Sequence, residues 1–514
     1  MSAAPELRRD LDFGRFGPRF LASAFFLIVL VGLGIAGYAQ QCLHGDIVTG
    51  LRTIGQGGAV WGLYIVFDIF FVGLAFGGIA FMAIVRLFHL RELRPLSRMA
   101  QLLTLVALAM AGLCVVADLG RPLHGLMNFP RYARTMSPFF GTFTLVACTG
   151  SLATFVYLWL DGRADAAACA ARGGRFAWLH RLWAFGWKGA PAERWRHRQS
   201  SFWLCIAILP LLVIAYSTLG FVFGIQAGRP GWFGALQAPG FLVLAAISSI
   251  GTLVVIAALA RSTLRLETEI RTQVFYWLGN ALCILALVYL YLLVVEILTA
   301  NYAAAEADTR VARAILAGPY APVFWTMIAA FVLPMLILFA QFLRRRASIA
   351  WTVGCALVLN AATILKRFLI VVPSQTHGSL LPYPDGSYRI TWVELSAIGG
   401  LLALGTLCYL VFVKFFPIVP LDVAHIERPA RAERERGVRK IVRISFFYAT
   451  LLAGIVLATV GFLLCARVGN DPWQDPPVRF SPVIFVTGML LVFYSAAVYE
   501  LWPPARSGPI HAAD

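Results

Sequence analysis

The 514-residue chain has few charged residues: Asp, Glu, Lys and Arg make up only 13% of it, whereas apolar and aromatic residues make up 60%. Soluble domains carry roughly 25% charged residues, so this chain has too few polar side chains to cover a soluble surface. Its apolar residues form continuous runs instead of alternating with polar ones, which excludes a membrane β-barrel. The composition therefore predicts an all-α polytopic membrane protein that lies in the lipid bilayer.

The chain also lacks the residue patterns that hold redox cofactors. No two of its nine cysteines have CxxC spacing, so there is no framework for an iron–sulfur cluster. All eight histidines lie in loops or at helix ends, whereas a membrane b-type haem needs axial ligands on facing helices. We therefore expect no haem, no iron–sulfur cluster and no other metal site in this chain.

Twelve apolar segments are long enough to span a membrane, which takes about 20 residues. They lie near 19–41, 58–85, 98–118, 138–160, 201–224, 233–260, 272–299, 321–343, 348–372, 391–416, 440–466 and 480–502. The longest polar segment between them, 161–199, is too short for a soluble catalytic domain. Function is therefore expected within the bilayer or through partner subunits.

The net charge of +18 does not indicate a nucleic-acid partner, because the basic residues are concentrated in alternate short loops. With the N-terminus inside, 31 of the 43 lysines and arginines fall on the cytoplasmic side, as the positive-inside rule requires. Both termini are therefore predicted to be cytoplasmic. The predicted organisation is a cytoplasmic N-terminus at 1–18, a transmembrane body at 19–421, a charged linker at 422–439, two extra helices at 440–502 and a tail at 503–514.

Six ionisable residues within the predicted spans fall in the outer halves of those spans, whereas the inner halves are poor in such groups. They are Asp68, Asp118, Glu296, Lys366, Arg367 and Glu394. Such groups are unfavourable in a membrane and commonly mark functional sites. We expect a polar pocket that opens outward among the second, third, seventh and ninth spans. The alternative is a set of ion pairs that lock helices together, for example Glu296 with Arg367.

Several segments resemble the NrfD/PsrC family of integral membrane subunits. The segment Trp61-Gly-Leu-Tyr-Ile-Val-Phe-Asp68 resembles the second helix of that family, and Asp118-Leu-Gly-Arg-Pro122 resembles the turn after its third helix. Further matches follow in order as far as Lys414-Phe-Phe-Pro417. The resemblance covers residues 20–420 and is closest to the long ten-helix branch that includes hydrogenase HybB and DsrP subunits. The last two spans lie outside it.

The resemblance implies a membrane subunit of a respiratory oxidoreductase in the bacterial inner membrane. Subunits of this family bind menaquinone or ubiquinone near the outer face. They exchange electrons with a periplasmic ferredoxin-like iron–sulfur subunit, and further redox subunits complete the complex. Histidines that some branches carry are replaced here by Phe76 and by Ala215-Tyr216.

Asp68 is the predicted proton-handling catalytic residue, because it lies within the membrane on a glycine-rich helix. The predicted quinone-binding residues are Asp118, His124, Tyr132, Glu296, Lys366 and Arg367. The sequence leaves two alternative functions open: a structural membrane anchor without quinone chemistry, and a secondary transporter. A transporter would be expected to show two similar halves and a site at mid-depth, whereas the charged groups of this chain lie to one side.

Overall fold

The structure is a computed structural model that describes residues 16–51, 59–125, 127, 144–171, 173–174, 176–302, 305–378, 385–420, 438–465 and 481–501. These residues are almost entirely helical, and none of them lies in a β-strand. The prediction of an all-α protein is confirmed.

The described residues form fourteen α-helices. These are α1 (Pro18–His44), α2 (Leu63–Leu87), α3 (Ser97–Asp118), α4 (Thr144–Ala171), α5 (Ala177–Ala184), α6 (Pro191–Gly224), α7 (Gln237–Thr263), α8 (Thr272–Tyr302), α9 (Glu306–Leu316), α10 (Ala321–Leu343), α11 (Ile349–His377), α12 (Trp392–Phe415), α13 (Val438–Cys465) and α14 (Ser481–Leu501). All except the short α5 and α9 occupy the positions of the twelve predicted spans. In the part of the chain that the structure describes, ten helices, all of the twelve but α4 and α6, are long and apolar enough to cross a membrane.

Several helix ends follow from local sequence signals. A proline lies in the first turn of α1 and of α10. The N–H that proline lacks would have no helical hydrogen-bond partner there, so its absence costs the helix nothing. Helix α12 begins with a capping box, in which Thr391 and Glu394 satisfy each other's backbone amides. Gly231, between α6 and α7, has a φ of +82°, which glycine adopts without strain.

The chain forms two compact units. Unit 1 comprises Met1–Ala133 and Leu212–Val419, and unit 2 comprises Arg134–Leu211 and Pro420–Asp514, so that α6 belongs partly to each. Within unit 2, α13 and α14 pack together and α14 also contacts α4. The division into a body at 19–421 and an appended helix pair at 440–502 stays a prediction.

Helix α2 is the central helix of unit 1, because nearly all of its residues are buried and it contacts α3, α7, α11 and α12. Glycines let these neighbours approach its backbone. A Cβ at Gly77 would lie 2.1 Å from Ser249 Oγ, and one at Gly78 would lie 3.0 Å from the carbonyl oxygen of Ala100. Helices α7 and α3 therefore pack against α2 more closely than larger residues would permit.

One end of unit 1 brings together the start of α2, the end of α11 and the start of α12. Gln375 Oε1 accepts hydrogen bonds from the amides of Val60 and Trp61, at 2.9 and 3.0 Å. Tyr388 Oη accepts one from the amide of Leu63, at 2.9 Å. We call this end of unit 1 the Trp61 end. It is the end that the distribution of basic residues places outside the cytoplasm, and this orientation stays a prediction.

Candidate functional site

The structure places most of the predicted site residues in unit 1. Asp68, Asp118, Lys366 and Arg367 are buried there, and Glu296 is half-buried. His124 is exposed in the segment that follows α3. Tyr132 lies outside the described residues.

A charged pair lies in a cleft between α7, α8 and α11. Lys366 Nζ is 2.8 Å from Glu296 Oε2, and the Glu296 side chain keeps 36% exposure against 9% for Lys366. The empty volume of the cleft is about 260 Å³, which includes space open to the outside. Its other lining residues are Leu236, Gln237, Gly240, Phe241, Leu244, Tyr289, Leu292 and Ile370. The cleft therefore places the charged pair beside apolar side chains of α7, α8 and α11.

The sequence left open whether Glu296 pairs with Arg367, and that pairing is wrong: Glu296 pairs with Lys366. The seventh and ninth predicted spans, α8 and α11, line the cleft together with α7, the sixth. Helices α2 and α3, which also belonged to the predicted pocket, contribute no lining residue. Their carboxylates lie deeper in unit 1.

Two buried carboxylates lie near each other on α2 and α3. Asp68 is only 2% exposed, and its charge is close enough to Asp118 for direct electrostatic interaction. Within the described chain, no lysine or arginine lies at ion-pair distance from Asp68. Two neighbouring carboxylates in a low dielectric repel each other when both are charged, and a proton on either one relieves that repulsion. Asp68 therefore lies beside a second carboxylate, and its role in handling protons stays a prediction.

Arg367 places a positive charge inside unit 1 while being only 1% exposed. Its Nη1 donates a hydrogen bond to the carbonyl oxygen of Thr363 at 3.1 Å, and its guanidinium lies 5.4 Å from the centre of the Phe70 ring. Its Nη2 and the Tyr216 hydroxyl both approach Gly73, since a Cβ there would lie 2.8 and 2.9 Å from them. The missing side chain of Gly73 thus makes room for both polar groups.

Sequence reasoning did not select three polar side chains of this region: Tyr216, Tyr289 and Gln237. The Tyr216 hydroxyl and Arg367 Nη2 both lie beside Gly73, and Tyr289 lines the cleft together with Glu296 and Lys366. Both tyrosines therefore lie close to charged groups that the sequence had selected. A hydroxyl or amide within an otherwise apolar span is the signal that could have found them.

Glu394, the sixth intramembrane charge, ties the Trp61 end together. Its Oε2 accepts from the amide of Gly50 at 3.0 Å, and its Oε1 accepts from the Tyr388 hydroxyl at 2.5 Å. Burial, together with the negative charge of Glu394, raises the pKa of Tyr388 well above its usual range. Tyr388 therefore stays protonated and keeps donating to Glu394, which indicates a structural role for this pair.

Comparison with known proteins places this site within a family. The sequence profile of the polysulphide reductase NrfD family matches residues 53–377. The match runs from just before α2 to the end of α11, and it includes the cleft, the two carboxylates and Arg367. The chain belongs to the NrfD polysulphide reductase family. As an NrfD-family protein with many apolar helices, it is a multi-pass membrane protein.

Three curated relatives of this NrfD-family chain are named as oxidoreductase subunits. A protein named as a membrane subunit of dimethyl sulfoxide reductase, from Halobacterium salinarum, is 29% identical over 79% of this chain and 93% of its own length. A protein named as the b-type cytochrome subunit of Ni/Fe-hydrogenase 2, from Escherichia coli, is 23% identical over 73% of this chain and 88% of its own. The Hdr-like menaquinol oxidoreductase integral membrane subunit of Archaeoglobus fulgidus is 21% identical over 78% of this chain and 94% of its own.

Proposed function

We propose that this chain is the quinone-binding membrane subunit of a respiratory oxidoreductase complex. It exchanges electrons between menaquinone or ubiquinone and a periplasmic ferredoxin-like iron–sulfur subunit. The main support is the cleft that joins the Lys366–Glu296 pair to apolar walls. The relative named as a menaquinol oxidoreductase subunit supports the same class of ligand. The distribution of basic residues supports cytoplasmic termini, and the family resemblance supports the bacterial inner membrane.

The side chains that line the cleft have the chemical character that a quinone head group and its apolar tail require. The two quinone carbonyl oxygens need hydrogen-bond donors, and the side-chain donors of the lining are the Lys366 ammonium, the Gln237 amide and the Tyr289 hydroxyl. Phe241, Leu292 and Ile370 provide the apolar wall against which a ring and a tail can pack. Because the Glu296 side chain is partly exposed, it can exchange a proton with a ligand at the mouth of the cleft.

Asp68 is the proposed proton-handling residue behind the cleft. When bound, a quinol supplies two electrons and two protons, and a quinone takes up the same number. A buried carboxylate beside a second one can change its protonation at small cost. Asp118 is the neighbour that makes this possible for Asp68.

The test is quinone content and quinol kinetics of the complex, purified through an affinity tag on this chain. The wild-type complex is expected to contain extractable quinone. Lys366→Met removes a charge-assisted hydrogen bond of about 1.5–3 kcal/mol, so that the KM for quinol should rise by about tenfold to a hundredfold. Bound quinone should fall in parallel.

Lys414→Met is the matched control, because Lys414 lies in the last turn of α12 and contacts the Phe20 ring instead of the cleft. It should leave quinone content and KM unchanged. An unchanged KM in Lys366→Met would contradict the proposed cleft. A wild-type complex that neither contains nor reacts with quinone would leave the structural anchor as the function.

A further inference from the structure

We propose that Trp232 fixes the separation of α7 and α11 at the cleft and thereby determines which quinone rings the cleft accepts. Trp232 lies in the connection between α6 and α7 and is not one of the residues that line the cleft. It acts through its neighbours, which makes it a positioning residue. This inference rests on the proposed function and deepens it, since it assigns the selection among quinone ring systems.

Trp232 joins two of the helices that line the cleft. Its indole Nε1 donates a hydrogen bond to the carbonyl oxygen of Ile370 at 2.6 Å. Ile370 lines the cleft one helical turn after Lys366, on the same face of α11. Along the chain, only four residues separate Trp232 from Gln237, which begins α7 and also lines the cleft. The hydrogen bond therefore ties the start of α7 to the turn of α11 that follows Lys366.

Aromatic neighbours hold the Trp232 ring in one position. The residue is only 5% exposed. Its ring stacks on Trp61, with ring centres 5.6 Å apart and an interplanar angle of 17°, and it meets Phe223 edge-on at 5.0 Å. The Arg229 guanidinium lies 5.8 Å from the centre of the Trp232 ring. The indole N–H therefore has a fixed place from which it can hold Ile370.

Helix α11 needs this support because Pro373 lies inside it. A proline has no N–H for the carbonyl oxygen four residues earlier, and helices bend readily at such points. Hydrogen bonds with the α6–α7 connection lie on both sides of Pro373. Trp232 donates to Ile370 before it, and Ser374 Oγ donates to the carbonyl oxygen of Pro230 at 2.6 Å after it. The connection therefore holds α11 where the helix itself is weakest.

A fixed separation of the two helices matters because a quinone ring is flat and rigid. Its carbonyl oxygens lie at opposite ends of the ring, so donors on two helices can reach both oxygens only when the helices are correctly spaced. Gln237 lies on α7 and Lys366 lies on α11. The fused second ring of a naphthoquinone needs more room than the single ring of a benzoquinone. Walls that cannot move apart should therefore favour one ring system over the other.

The experiment is Trp232→Phe in the purified complex, because this change keeps an aromatic ring beside Trp61 and Phe223 and removes the N–H. The measurement is kcat/KM for a naphthoquinol and for a benzoquinol, and the wild-type complex should favour one of them. In the variant, the KM for the favoured quinol should rise by about twofold to tenfold, the range of one neutral hydrogen bond. The ratio of the two kcat/KM values should move towards one. A purely structural role would lower recovery or Tm and leave this ratio unchanged.

Trp325→Phe is the matched control. The Trp325 indole donates to the carbonyl oxygen of Leu316 at 3.2 Å, near the start of α10, and it does not line the cleft. The control loses the same kind of hydrogen bond and should leave KM and the ratio unchanged. Ser374→Ala is the second test variant, because it removes the hydrogen bond on the other side of Pro373. It should shift the ratio in the same direction, so the inference stays testable if Trp232→Phe does not assemble.

An unchanged ratio in the assembled test variants would overturn the inference while leaving the quinone site intact. A wild-type complex that oxidises both quinols equally well would overturn it too. Failure of the proposed function itself has a different signature. In that case the wild-type complex would contain no quinone and show no activity with either quinol.

Discussion

At Asp68, a carboxylate lies inside the membrane domain beside a second carboxylate and away from any basic partner in the described chain. The sequence allowed a plainer explanation, in which each intramembrane charge belongs to an ion pair that locks helices. That explanation applies to Glu296 and Lys366, which do pair. For Asp68, no such partner is found among the described residues, and its proposed role in handling protons remains to be tested.

Asp68→Asn separates these roles, because asparagine keeps the shape of the side chain and cannot ionise. The variant complex should assemble and retain its quinone, and its turnover should fall by about a hundredfold, in line with removal of a proton-transfer group. Recovery of the complex, quinone content and turnover are the measurements. Normal turnover would show that Asp68 does not handle the proton, and failure to assemble would favour a structural role.

Among the helices, α2 relies most on glycines, because its neighbours pack against it where a side chain would leave no room. Gly77 faces α7 so closely that a Cβ would lie 2.1 Å from Ser249 Oγ and 2.7 Å from the carbonyl oxygen of Ala245. A backbone carbonyl cannot rotate away as a side chain can. The two helices would therefore have to move apart to accept even one methyl group.

Gly77→Ala is therefore expected to destabilise unit 1 by about 1–3 kcal/mol, the usual effect of overpacking. Thermal unfolding of the purified complex measures this as a lower Tm. Gly112→Ala, on α3, is the control: nothing lies within 4 Å of a Cβ there, so the better helix propensity of alanine should leave Tm equal or slightly higher. Equal effects of the two substitutions would show that the close packing of α2 and α7 is not limiting.

At the scale of the whole molecule, unit 2 has a buried polar network of its own. Glu500, on α14, accepts hydrogen bonds from Arg163 at 3.3 Å, from His197 at 3.1 Å and from Ser200 at 2.8 Å. These partners lie on α4 and α6, so the network joins the last described helix to two earlier ones. It gives the C-terminal helices a structural connection that hydropathy alone does not indicate.

Glu500→Leu keeps the side-chain volume and leaves the Arg163 charge buried without its carboxylate. Breaking a buried pair in this way lowers stability by about 3–5 kcal/mol. We expect a clearly lower Tm for the variant complex. Glu306→Gln, at an exposed position in the first turn of α9, should change Tm little, and an unchanged Tm in Glu500→Leu would contradict a stabilising role for the network.

Haem content is a second property of the whole molecule, since one relative is named as a b-type cytochrome subunit. None of the eight histidines falls within a predicted membrane span, so we predict no haem. A reduced-minus-oxidised absorption spectrum of the isolated chain should show no b-type band. Such a band would mean that loop histidines can serve as axial ligands.

The positions of the twelve long helices could be predicted from the sequence, because a membrane span satisfies its backbone hydrogen bonds internally and needs only an apolar run of sufficient length. Ten of these helices are long and apolar enough to cross a membrane among the described residues. The same argument placed Asp68, Asp118, Glu296, Lys366, Arg367 and Glu394 within those spans. Depth along a helix follows from the position of a residue in its own span. Which helices lie next to each other depends on side-chain packing between segments that are far apart in the chain.

Lys366 and Arg367 show what tertiary structure alone decided. They are consecutive, so they share a depth, but an α-helix turns by about 100° from one residue to the next. Lys366 points to Glu296 in the cleft, whereas Arg367 is buried between Phe70 and Tyr216. The sequence could show that the two charges lie at the same depth. Only the packing of α2, α6 and α8 around α11 could place Lys366 in the candidate ligand site and Arg367 in the interior.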